Sequence, residues 1–113
     1  DHRHAGLLVV EGLVAARDPH FFPELALAHH RPDELLLFEA DEVDHIEAVT
    51  GFEGHKLRAL QAHQSQFEST MFVTGDDASQ LEAFRQREME RMIAAGELIG
   101  APLGEAFKRI SDL

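Results

Sequence analysis

The sequence predicts an α/β fold in which strands are flanked by helices and part of the sheet comes from outside the 113 residues. Two observations carry that prediction. Leu35-Leu36-Leu37-Phe38 is a short apolar run between Glu34 and Glu39, the pattern of a strand covered on both faces as in parallel sheets. Segments with helical periodicity stand on either side of it, yet only one further strand is plausible, at His45–Val49. A strand that apolar needs hydrogen-bonded neighbours and helical cover. A natural chain does not begin at Asp without processing, so the sequence is expected to be the C-terminal portion, residues 1–113, of one larger domain.

The elements follow in order. Leu7, Val10, Leu13 and Val14, with Leu8, Val9, Ala15 and Ala16 between them, make a helix that is apolar around most of its circumference and is expected to be buried on more than one side. Asp18-Pro19 ends it, because proline cannot donate to a continuing helix and restricts the residue before it. Phe21-Phe22-Pro23 reads as an aromatic plug, followed by a short helical turn over Glu24–Ala28. Thr50 and Glu53 have capping-box spacing ahead of a helix from about Phe52 to His63 or Gln66. Glu68–Gly75 reads as loop. Asp76-Asp77 offers an N-cap to a helix over Ala78–Ala95, with Leu81, Phe84, Met92 and Ile93 on its inner face, Arg85, Arg87, Glu88 and Glu90 toward solvent, and Gly96 as the stop. The tail through Gly100, Pro102 and Gly104 reads as loop, and Ala106–Ile110 as a short closing element with Phe107 and Ile110 packed inward.

Composition narrows the function classes. The net charge is −11, from 21 acidic and 10 basic residues without a Lys/Arg run, which disfavours nucleic acid and anionic membranes as partners. No apolar run reaches the length of a membrane span. Cysteine is absent, which excludes disulfides and thiolate metal sites. A cytoplasmic location is the expectation. The sequence leaves the oligomeric state open: a missing half sheet would leave an apolar edge prone to pairing, as in a homo-oligomer, or to aggregation.

Among the eight histidines the opening Asp1-His2-Arg3-His4-Ala5-Gly6 is the most suggestive, since imidazole is a common zinc ligand and a neighbouring carboxylate can orient a ring. Asp1 also has a plain reading as a helix cap. His4 lies two residues from His2, so on a helix the pair diverge, and His4 reads as structural. His29-His30 reads as a solvated loop. His63, Ser65 and Gln66 lack an acid to orient the histidine and read as helix-end hydrogen bonding. Asp41, Glu42 and Asp44 lack the loop grammar of a calcium site and read as a solvated rim.

The opening hexapeptide resembles the second half of the His-Pro-Asp-His-Arg-x-x-Gly motif of the PIG-L (LmbE-like) zinc-dependent N-deacetylases. The resemblance continues through Val14-Ala15-Ala16-Arg17-Asp18-Pro19 with Phe22-Pro23-Glu24-Leu25, through Val49-Thr50 to Lys56-Leu57-Arg58-Ala59-Leu60, through His63-Gln64-Ser65-Gln66, and to Glu105-Ala106-Phe107 near the end. It implies the C-terminal part of a Rossmann-like three-layer sheet with flanking helices, the N-terminal strands missing. It implies a hydrolase that removes the N-acetyl group from an N-acetylglucosamine conjugate, a small-molecule aminosugar conjugate, with Zn2+ as cofactor. His2 matches the motif's zinc ligand, and Asp1 matches the aspartate that supports a catalytic histidine two positions upstream. The family's other two ligands and its general base belong to a His-Pro-Asp-Asp motif that this sequence lacks, so the segment alone is expected to be inactive. Ala48 stands where the family often has Asp. The competing expectation is a non-catalytic α/β scaffold or sugar-conjugate binding module that has lost the metal site.

Overall fold

The computed structural model describes residues 2–74 and 77–113. It is a mixed helix and strand structure, the α/β class expected, and it divides into two compact units. One takes the described residues up to Leu37 together with Arg109–Leu113, and the other is Phe38–Lys108.

In the first unit, helix α1 runs His2–Arg17. Its end follows from local chemistry: Asp18 Oδ1 accepts from the amide of His20 at 2.8 Å, and the carbonyl of Ala16, left without a helical donor, accepts from the amide of His30 at 2.7 Å. A 3-10 turn, Pro23–Leu25, follows, with Phe22 and Ala26 in the left-handed region on either side. Strand β1 is Glu34–Phe38. Arg109 pairs with Glu34, and the Arg31 side chain donates to the Leu113 carbonyl.

Burial in this unit differs from expectation. No residue of α1 is buried, and Leu8 is 68% exposed. Phe21 and Phe22 are exposed rather than plugged into a core, with their rings tilted against each other at 6.1 Å. Leu35 and Leu36 of β1 are half-buried while Leu37 and Phe38 are exposed. The reason is geometric: among the described residues this unit has one helix, one 3-10 turn and one and a half strands, too little surface to cover an all-round apolar helix.

The second unit holds strand β2 (His45–Ala48), helix α2 (Glu53–Gln61), a 3-10 turn (Gln64–Gln66) leading into a π-helical turn (Phe67–Met71), helix α3 (Ala78–Glu97) and the start of strand β3 (Gly104–Ser111). The strands are ordered β1-β3-β2. β2 pairs antiparallel with β3, His45 opposite Phe107 and Ala48 opposite Gly104. β3 is a full strand of eight residues where the sequence reads as a loop and a short closing element. Glycine at its start and charges at Glu105, Lys108 and Arg109 conceal a middle strand whose pairing is supplied by partners distant in sequence. Phe107 is half-buried, as expected, but Ile110 is exposed.

The core is Met71, Val73 and Phe84, packed against Leu60, Phe67 and Leu81. The π-helical turn replaces the loop expected after Glu68 and brings Met71 inward, to 2% exposure. Arg87, expected in solvent, donates to the Met71 carbonyl at 2.8 Å and lies within 6 Å of the Phe72 and Phe84 rings.

Candidate functional site

The sequence places its candidate chemistry at residues 1 and 2. Asp1 lies outside the described residues. His2 opens α1 and is exposed. Among the described residues no three His, Cys, Asp or Glu side chains come together in a way that could hold a metal ion. Zinc needs three or four donors, of which His2 could supply one, and the described residues bring no others to it.

In the second unit the structure assembles a site the sequence does not announce. Four charged side chains from three elements meet beside a cavity of about 590 Å³. Lys56 Nζ, on α2, donates to Glu105 Oε1 of β3 at 2.9 Å and stands 3.9 Å from Glu88 Oε2 of α3. Arg91 Nη1, one turn along α3, donates to Glu88 Oε1 at 2.7 Å. Glu88 is 8% exposed, which corrects its expected place in solvent. It sits in the buried row Phe84, Glu88, Met92, Gly96, each one turn from the next, and two cations compensate its charge there.

The local reasons are legible once the partners are known. α3 begins where Asp77 caps it, its carboxylate accepting from the amides of Ser79 and Gln80. The Ser79 hydroxyl donates to the same carboxylate at 2.6 Å, and that side-chain bond, ahead of the backbone ones, holds the Asp77 carboxyl below its ordinary value. Asp76, the other residue of the expected cap, lies outside the described residues. α2 does not start with the expected capping box. Glu53 reaches back only to the Gly51 amide, at 2.7 Å, while the Thr50 hydroxyl accepts from the Leu103 amide at 3.3 Å. Val49 donates to the Leu103 carbonyl at 3.0 Å, so Val49-Thr50 clasps the segment entering β3 instead of capping a helix.

Leu60, Met71, Phe84 and Met92 give the cavity an apolar wall. Beside it the two carboxylates keep acceptor capacity beyond their ion pairs. The arrangement can therefore take a ligand with an apolar face and donating hydroxyl or amino groups. Of the expected His63-Ser65-Gln66 group, Ser65 and Gln66 lie in the 3-10 turn and His63 precedes it; Gln66 Oε1 accepts from Ser69 and Thr70 at 3.4 and 3.3 Å, a local structural role.

No family model and no curated protein sequence matches the chain. Among solved structures it is similar to N,N'-diacetylchitobiose deacetylase from Pyrococcus horikoshii, solved with its inhibitor MPG, with a TM-score of 0.69 and 23% identity. The match covers 97% of this chain and 39% of that one. At that identity the likeness is one of fold: this chain has the fold of part of a deacetylase.

Proposed function

We propose that this chain belongs to a deacetylase that hydrolyses the N-acetyl group of an N-acetylglucosamine conjugate to acetate and a free amine. The observation that supports it most is the fold likeness over 97% of the chain to a deacetylase of such a substrate, N,N'-diacetylchitobiose. The resemblance of Asp1-His2-Arg3-His4-Ala5-Gly6 to a deacetylase motif is a separate support, since it rests on the sequence and not on the fold. In this reading residues 1–113 form the C-terminal portion of a single domain, and zinc is held with His2 as one donor and the others outside the described residues. Among the described residues no helix is long and apolar enough to cross a membrane.

The test is made on the full-length protein that contains this segment. Zinc content is measured alongside acetate release from N,N'-diacetylchitobiose and from an N-acetylglucosaminyl inositol, in the native protein and in His2→Ala. Stoichiometric zinc with acetate release, both lost in His2→Ala, is the expected result. A folded full-length protein that binds no zinc and releases no acetate overturns the enzyme reading in favour of a scaffold or binding module.

A further inference from the structure

A second cleft lies between α2 and α3, with a volume of about 570 Å³, lined by Arg58, Gln61, Arg85, Glu82 and Gly54 among others. Its donors are unusually underused. Gln61 Nε2 is fully buried and has no hydrogen-bond partner, although a buried amide N–H without an acceptor is costly. The other end of that amide is engaged: Gln61 Oε1 accepts from Arg85 Nη2 at 3.1 Å, which fixes the nitrogen as the free end, since the reverse orientation would face two donors together. Arg58 is three residues before Gln61 and shares its face of α2. Its guanidinium has no ion pair among the described residues, and it lies over Gly54, where an added Cβ would stand 3.4 Å from Nη1. Arg85 carries one acidic neighbour, Glu82 at 3.4 Å, a long contact that leaves N–H capacity on the guanidinium.

We propose that this cleft is an oxyanion-binding site, in which Arg58, Arg85 and the Gln61 amide donate to one carboxylate or phosphate group. Two guanidiniums offer the planar, multiply donating face that such groups accept, and the acceptor supplied by the ligand satisfies the orphaned Gln61 amide. In a chain of net charge −11 an anion is not drawn here by the overall field, so the attraction is local to these three side chains. Glu82 at the rim limits affinity and disfavours highly charged ligands. The proposal is independent of the deacetylase reading, as the cleft uses none of the residues invoked there.

The test is calorimetric titration of the full-length protein with inorganic phosphate and, separately, with acetate. Gln61→Glu is the discriminating variant: it keeps an acceptor for Arg85 and replaces the donor with a repelling oxygen, and thermal unfolding of the variant confirms that it is folded under the conditions of the titration. Saturable binding that falls at least about tenfold in Gln61→Glu and in Arg58→Gln is expected, the effect of losing a charge-assisted contact. Binding of phosphate but not acetate identifies a phosphorylated ligand, and the reverse identifies a carboxylate. Binding of neither, or binding unchanged in Gln61→Glu, overturns the proposal.

Discussion

Gly96 and Gly104 stand back to back where the last turn of α3 meets the start of β3. A Cβ added at Gly104 would lie 2.8 Å from the Gly96 nitrogen and 2.8 Å from Ile46 Cγ2, and one added at Gly96 would lie 2.6 Å from the Ala101 carbonyl oxygen. Most of these obstacles are backbone, which cannot turn aside as a side chain can. Gly96 was expected to stop the helix; it lies within it instead, and its use is close approach rather than a left-handed cap. Gly104→Ala is therefore expected to lower stability by about 1–3 kcal/mol, an overpacking cost. Denaturant unfolding of the native protein and the variant measures it; an unchanged midpoint would show that the contact relaxes freely.

The pairing of Lys56 with Glu88 and Glu105 joins α2, α3 and β3. Glu88→Ala removes the most buried of the carboxylates and leaves Lys56 and Arg91 facing the cavity with less compensation. A loss of about 1–3 kcal/mol is expected, while a Lys56/Glu105 double-mutant cycle should return only about 0.2–1 kcal/mol, since both of those side chains reach solvent. Equal effects at both positions would mean that burial does not rank the network.

Asp77 gives a pH-dependent term of known sign. Its folded-state pKa lies below the ordinary 3.8, chiefly through the Ser79 hydroxyl bond. The stability it contributes is therefore fully present above that ordinary value and is lost as pH falls through the lowered folded value. The melting-temperature difference between the native protein and Asp77→Asn should shrink as the solution is acidified through that window. A difference constant with pH would place the effect in the neutral capping bond alone.

The exposed apolar side chains of α1, Leu7, Leu8, Val9 and Val10, predict strong binding of an apolar fluorescent dye by the 113-residue segment in isolation. Leu8→Lys should reduce it without changing helix content by circular dichroism, because Leu8 makes no core contact to lose. Undiminished fluorescence in that variant would place the dye elsewhere.

What the sequence determined was local. Asp18-Pro19 set the end of α1 and Asp77 set the start of α3, because a cap or a missing N–H acts within a few residues. The apolar run at Leu35–Phe38 and the pattern at His45–Ala48 became strands, and the α/β class followed from them. Tertiary structure decided what depends on partners far along the chain. Thr50 and Leu103, 53 residues apart, took the hydroxyl that capping-box spacing assigned to the helix. Glu88 went inward because Lys56 and Arg91 meet it there, and a helical charge reads the same in sequence whether or not such partners exist. β3 took its place between β1 and β2 through ladder bonds that leave no period-two signature in Gly104–Ser111. Local propensity acts over one turn or one strand, whereas burial and pairing are settled only when distant surfaces meet.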